Sequence, residues 1–428
     1  MAAYARNIFT SRQMLRVLIV AYGGAHVAMV MPLRLALIEA GYEPVVLALT
    51  TTPQVYRSQN IPHIRFIDHV DMTDSRIDHW GKHLSEKYHK DGIGISQQES
   101  IAYLGASFVD LIDEVGQTAA LARYADLGLN ALSPVNTLKH ILQREGIGAV
   151  IATDSPRAER AALLAAASLK LPNLCAAGSF VSIGIDFLAR ADHGQRICVF
   201  NQRMATQLAV AGRPLHSVRI TGNPAFDDLN QPGDIALRSQ LRSQRGLNEA
   251  SQVVLWAEQP EPGNPVLPVA VRNQLAALCS QHGWQLLIRL HPSSQAHGVS
   301  EALPPTALVS PREESIRHAL LVCDTVVTLT STVGLEALIM DKDLLIVNIS
   351  QYSDHVDYSA GDGACVVCNR SDIETALLDI FNCVPHVLEL QENRRQTPHS
   401  GGAARVIVEN LRELIEEARD DEAQETST

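Results

Sequence analysis

The sequence predicts an α/β protein of two Rossmann-like, doubly wound domains facing across a cleft. Three observations carry this. Short unbroken apolar runs of strand length alternate with longer helical segments, the pattern of parallel sheets covered by helices. A chain of 428 residues is long for one such domain and comfortable for two. Hydrophobic residues make up 46% and aromatic residues only 5%, which suits helices packed on sheets better than a β-sandwich.

Taken in order, Val17–Ala21 reads as a buried strand, Gly23-Gly24-Ala25-His26 as a turn, Met31–Ala40 as a helix with Gly41 just past its end, and Pro44–Leu49 as the next strand. Residues 68–100 are polar and rich in His, Asp and Lys, which predicts an insertion or mobile segment. One long helical pattern covers about 100–146. Strands follow at Gly148–Thr153, Pro172–Ala176, Ile197–Phe200 and Val218–Thr221, with a helix at Ala158–Leu169 and another that Asn201 can cap. Gln231-Pro232-Gly233-Asp234 marks a boundary. Beyond it come strands at Val253–Trp256, Gln285–Leu290, Ala307–Val309, Thr325–Leu329 and Leu344–Ile349, and helices at Val269–His282, Ser315–Leu321 and Val333–Met340. The expected organisation is a first domain over 1–228, a second over 229–400, a helix over 401–418 that packs across the domains, and a disordered acidic tail over 419–428. No internal repeat is visible.

The formal charge of −12 argues against a nucleic-acid partner. Seven scattered Cys, with Cys365 and Cys368 as the single CxxC inside a strand-like run, read as reduced thiols of a cytoplasmic protein. No apolar run reaches the length of a membrane span. His355, between Asp354 and Asp357, has no second cluster to complete a metal site, so neither metal nor cofactor is expected.

The candidate site residues lie in loops after strands, where α/β proteins build their sites. Thr330, Ser331 and Thr332 precede a helix. With Ser331 as N-cap, free N–H groups and hydroxyls would form an anion site, and Glu336, one turn in, could take a ribose diol. A capped helix with a surface Glu is the bland alternative. His291 sits at a strand tip fixed by Pro292, with Arg289 two residues before it, placed to meet a phosphate or a base or simply to satisfy loop carbonyls. Gly222, Asn223 and Pro224 make a tight turn with Asp227 and Asp228 after it, either against the cleft or as a plain interdomain turn. Gln259 could reach the nucleotide from the start of the second domain. In the first domain Gly23 and Gly24 allow close backbone approach, and His26 could be a general base. Asp154 is the other candidate base, or else the cap of the next helix.

Together these residues resemble the GT-B superfamily of glycosyltransferases, which includes the UDP-N-acetylglucosamine 2-epimerases. Gly23-Gly24-Ala25-His26 looks like the acceptor-side loop of such enzymes, and Thr221-Gly222-Asn223-Pro224 like the epimerase-type hinge. The stretch from Asp154 to Leu169 and the strand from Pro172 also match the family's pattern. His291-Pro292 and the Ser/Thr-rich turn before Glu336 look like the motifs that hold the donor nucleotide in bacterial sialyl-, polysialyl- and Kdo-transferases. The epimerases carry an acidic-Ser-Gly-Gly turn before a Glu pair. Here Thr330-Ser331-Thr332-Val333-Gly334-Leu335-Glu336 has one Glu, which favours a transferase.

The resemblance implies a CMP- or UDP-linked sugar donor, of sialic acid or Kdo type, and a bacterial surface glycan or lipid-linked precursor as acceptor. The donor would bind through Arg289, His291, Pro292, Thr330, Ser331, Thr332 and Glu336, with Gly222, Asn223 and Gln259. His26 or Asp154 would be the base. The alternatives are an epimerase or hydrolase acting on a UDP-amino sugar, and a non-catalytic binding module. Peripheral membrane association and homodimer formation are left open.

Overall fold

The computed structural model describes residues 14–50, 52–90, 94–178, 180–261, 263–291, 303–311, 313–353, 365–396 and 401–427. Pro292 and the Asp354–Asp357 segment lie outside them. The chain divides into two compact units, the first running to Asp227 and resuming at Gly402, the second spanning Asp228–Gly401.

The first unit holds seven strands: β1 (Arg16–Val20), β2 (Glu43–Ala48), β3 (Ile64–Arg65), β4 (Ile147–Ala152), β5 (Asn173–Ala176), β6 (Arg196–Val199) and β7 (Val218–Ile220). Their spatial order is β3-β2-β1-β4-β5-β6-β7, every pair parallel. The second unit holds β8 (Val253–Ala257), β9 (Gln285–Arg289), β10 (Leu308–Val309), β11 (Thr325–Thr328), β12 (Asp343–Val347) and β13 (Cys365–Cys368). Their order is β10-β9-β8-β11-β12-β13, again all parallel. The two units therefore repeat one topology that the sequence does not show as a repeat. In each, the order reverses beside the unit's first strand, between β1 and β4 and between β8 and β11. The loops at the carboxyl ends of strands flanking such a reversal are where open parallel sheets bind ligands.

Central strands β4 and β8 are buried at every position, because helices cover both faces and the pattern needs continuous rather than alternating apolar residues. Leu33, Leu37, Ile151 and Leu174 lie in the first core, and Trp256, Leu275, Ile288, Val327, Leu345 and Leu377 in the second.

Several expectations are corrected. The single helix expected over about 100–146 is three helices, Gln97–Val115, Gln117–Leu127 and Val135–Arg144. Gly116 and Gly128, at φ 82° and 57°, break it in the left-handed region where glycine alone is unstrained. The polar stretch 68–100, expected to be an insertion or mobile segment, contains the helix Ser75–Tyr88. It packs on Gln97–Val115 through Gly81 and Gly105, where a Cβ would lie 2.2 Å and 2.1 Å from the carbonyl oxygens of Ile101 and Ile77. Asn201 caps the helix Gln202–Val210, accepting from Met204 N at 3.0 Å. Among the described residues no helix is long and apolar enough to cross a membrane.

The last helix, Ala403–Ser427, continues through the segment expected to be a disordered tail. That segment is polar, but Arg419, Glu422, Ala423, Gln424 and Glu425 lose little on entering a helix. Ile407, Leu411, Leu414 and Ile415 place its apolar side in the first unit's core. Buried Arg196 on β6 holds it further, donating to Asn410 O at 3.2 Å and pairing with Glu413 and, at 2.5 Å, with Glu417. Asp227 closes its start: Oδ1 accepts from Gly402 N (2.9 Å) and Ala403 N (2.8 Å), and Oδ2 from Ala404 N (2.9 Å). Three N–H groups of a helix N-terminus thus share one carboxylate. Asp227→Ala is expected to cost the first unit about 1–2 kcal/mol, read as a lower urea midpoint. An unchanged midpoint would mean that the apolar side alone seats the helix.

Candidate functional site

In the first unit, Tyr22, Gly23 and Gly24 follow β1, and Thr153 and Asp154 follow β4, so both loops lie at the topological reversal. Gly24 has φ 58°, and nothing lies within 4 Å of where a Cβ would stand, so backbone conformation rather than room calls for glycine here. His26 ends a short 3-10 turn and occupies the cap position of the helix Val27–Glu39 with helical angles and no capping bond. Its half-buried ring turns instead to the β4 loop. Nδ1 lies 2.9 Å from Thr153 Oγ1 and 3.4 Å from Asp154 Oδ1.

Asp154 does not cap the following helix. Ala158–Ser168 starts with Arg157 at its cap position and no side-chain capping bond. The Asp154 side chain is 9% exposed, and Oδ1 makes no hydrogen bond beyond its approach to the His26 ring. Gly178, after β5, leaves it room: a Cβ there would sit 3.4 Å from Oδ1.

Behind these residues stands Glu159, which the sequence reading missed. It is wholly buried. Oε1 accepts from Tyr22 N at 2.5 Å and, more distantly, from the Thr153 hydroxyl at 3.4 Å. Burial pushes its carboxyl up to about 7, opposed by its backbone hydrogen bonds and the charge of His26. The available signal was a carboxylate among Ala158, Ala161 and Ala162, on a helix whose other buried positions are apolar. Arg157 was likewise missed; its guanidinium lies over the Tyr22 ring, 4.0 Å from the centroid.

In the second unit, Glu258 and Gln259 follow β8 and Thr330, Ser331 and Thr332 follow β11, the equivalent pair of strands. Gln259 is buried and ties these loops together. Its Nε2 donates to Thr330 Oγ1 at 2.6 Å, and its Oε1 accepts from Thr330 N at 2.8 Å. The cap position of the helix Val333–Ile339 belongs to Thr332 rather than Ser331. The chain turns helical one residue early, and the Ser331 hydroxyl accepts from Val333 N at 3.3 Å. Ser331, Thr332 and Glu336 are half-buried together. Burial pushes the Glu336 carboxyl up to about 7, against the charge of Arg289.

Arg289 is committed to the turn after β10. It donates to Ser310 Oγ at 2.9 Å, to Glu314 O at 2.8 Å and to Pro311 O. His291, two residues beyond β9, is exposed. Gly222 and Asn223 belong to the first unit, at the end of edge strand β7. Asn223 is buried and accepts from Ala225 N at 2.9 Å, and a Cβ on Gly222 would lie 3.1 Å from Ala403 Cβ. This turn seats the terminal helix. Among the described residues no group of three or more His, Cys, Asp or Glu is placed to hold a metal.

No protein-family model and no curated protein matches the sequence. Solved structures do match the fold. The UDP-GlcNAc 2-epimerase from Neisseria meningitidis, solved with UDP-GlcNAc, superposes with a TM-score of 0.59 at 14% identity, covering 93% of this chain and all of its own. The glycosyltransferase SnogD from Streptomyces nogalater gives 0.52 at 15%, covering 92% and 99%. The wall teichoic acid polymerase TagF gives 0.50 at 10%, covering 97% and 92%. The fold is GT-B. The Asp154 loop and the Thr330–Glu336 loop follow corresponding strands of the two units, β4 and β11, and the His26 loop after β1 corresponds to the Glu258–Gln259 loop after β8.

Proposed function

We propose that this protein is a metal-independent glycosyltransferase that uses a nucleotide sugar. The observation that carries the reading is the orientation of His26. Its ring is not spent on capping a helix, and Thr153 and Asp154 back its Nδ1. Nε2 is then the nitrogen left to take a proton, and a neutral imidazole suits a general base near neutrality. The acceptor hydroxyl gives its proton to His26 Nε2 while its oxygen bonds to the anomeric carbon. The bond from that carbon to the phosphate oxygen breaks, and the nucleotide leaves with the electron pair. Ser331, Thr332 and the N–H groups of the turn before Val333 are the donors assigned to the growing phosphate charge. Glu336 is assigned to the ribose diol.

A second reading is an epimerase acting on a UDP-amino sugar. Three of the similar structures favour it, each described as a UDP-GlcNAc 2-epimerase and matched over more than 90% of this chain.

A thermal-shift screen against UDP, CMP, GDP, ADP, CDP and their sugars tests both. One nucleotide is expected to raise the melting temperature, by the equivalent of about 2.7 kcal/mol at a hundredfold excess over Kd. Glu336→Gln should abolish the shift. UDP or CMP as the active nucleotide would name the donor class. No shift with any nucleotide sinks both readings in favour of a binding module. Incubation with UDP-GlcNAc alone then separates the two: a transferase leaves it intact without an acceptor, whereas an epimerase inverts C2.

A further inference from the structure

We propose that Glu159 is a positioning residue of the first unit: it holds the glycine turn through Tyr22 N and, through the Thr153 hydroxyl, fixes which nitrogen of His26 carries the proton. The proposal deepens the transferase reading, since it concerns the group assigned there as base. Its geometry is independent of any turnover.

As a carboxylate, Glu159 offers its neighbours only acceptor oxygens, and it takes the Tyr22 N–H at 2.5 Å and the Thr153 O–H at 3.4 Å on the same Oε1. A hydroxyl has one proton to give. With that proton turned to Glu159, Thr153 Oγ1 offers His26 only lone pairs, at 2.9 Å from Nδ1. Nδ1 must then carry the hydrogen, and Nε2 is bare. Asp154 Oδ1, 3.4 Å from the same Nδ1, acts in the same sense. A second-layer group of this kind sets the tautomer of a histidine.

Glu159 is also an unusual residue to bury without a purpose. It is wholly inaccessible, and its Oε2 has no hydrogen-bond partner. Such an atom carries a desolvation cost that an apolar residue would not. The groups facing it are His26, the Ser155 hydroxyl just before its own helix, Tyr56 from the helix Thr52–Ser58, Tyr103 from the helix Gln97–Val115, and Cys175 on β5. Arg157 acts on Tyr103 from further out. No ion pair to a Lys or Arg neutralises the carboxyl among the described residues, and burial holds its proton up to about 7. The clamp therefore tightens as Glu159 ionises, because a carboxylate accepts the Tyr22 and Thr153 hydrogens more strongly than a carboxylic acid.

The test is nitrogen-15 NMR of the full chain, with the His26 ring signals assigned by their loss in His26→Gln. At about pH 8 wild type is expected to show Nδ1 protonated and Nε2 bare. In Thr153→Val the chain of donors is cut at nearly constant volume, and the two ring-nitrogen shifts are expected to move toward each other. The Tyr22 amide signal is expected to step with a midpoint near pH 7 in wild type and to lose that step in Glu159→Gln. Ring signals unchanged in Thr153→Val would overturn the proposal, and so would a Tyr22 amide with no step near neutrality. Should Glu159→Gln fail to fold, Thr153→Val still decides. Neither readout needs a sugar donor, so a failed transferase assay and a failed relay are told apart.

Discussion

His26→Ala is expected to lower sugar transfer by about 10²–10⁴-fold, the usual worth of a positioned general base, while leaving nucleotide affinity intact. The split follows from placement. His26 belongs to the first unit, whereas Thr330–Thr332 and Glu336 belong to the second. A mutation that removes only the proton acceptor should appear in kcat rather than in the KM for the donor. Asp154→Asn is expected to lose activity as well, because an amide N–H facing Nδ1 favours the tautomer with the proton on the wrong nitrogen. The assay is acceptor-dependent release of the nucleotide identified by the thermal-shift screen. Full transfer by His26→Ala would sink the assignment. Loss in Asp154→Ala with full activity in His26→Ala would move the base to Asp154.

Much of this architecture is legible in the sequence for a simple reason. A strand buried on both faces is apolar along most of its length, so β1, β4 and β8 announce themselves as continuous runs and β9 and β11 as shorter ones, at Leu286–Ile288 and Val326–Val327. The residues immediately after them are then site candidates by topology alone, which is how His26, Asp154 and the Thr330–Glu336 turn stand out. The elements the sequence hid are those whose reasons are tertiary. Gly81 and Gly105 look like weak points in a polar stretch until two helices cross at them. Asp227 looks like a cleft residue until the terminal helix, far along the chain, brings three N–H groups to it. Gln259 and Arg289 look like ligand contacts, and their side chains hold Thr330 and the turn after β10. Glu159 was missed because its partners are tertiary: Tyr22, far away in the chain, and the Thr153 hydroxyl that faces His26. Single-residue motifs report where a loop starts; they do not report which partner a side chain finds.

The second large effect expected is on acid stability, and it centres on His193. This ring is wholly buried in the turn before β6, both nitrogens lack a hydrogen-bond partner, and Phe187 packs 5.3 Å away. Burial, helped by the charges of Arg160 and Arg213, pulls its pKa down to about 3. An unfolded His titrates near 6.5. The unfolded chain therefore binds the proton first, and stability present above about pH 6.5 is lost as pH falls toward 3. The loss amounts to about 2 kcal/mol at pH 5 and about 4 kcal/mol at pH 3, large against a typical domain stability of about 5–15 kcal/mol. Glu159 in the same unit has the opposite sign. Its pKa is raised from 4.5 to about 7, so its contribution is full below about 4.5 and is lost as pH rises through 7, a change of about 2 kcal/mol between pH 7.5 and pH 5. The two slopes nearly cancel in wild type. His193→Phe removes one of them and keeps a ring against Phe187. The variant should therefore gain about 2 kcal/mol over wild type on going from pH 7.5 to pH 5. Urea titrations at both pH values, followed by amide exchange in β5 and β6, measure this directly. Parallel midpoints at the two pH values would mean that His193 is protonated in the folded state and that burial does not hold it neutral.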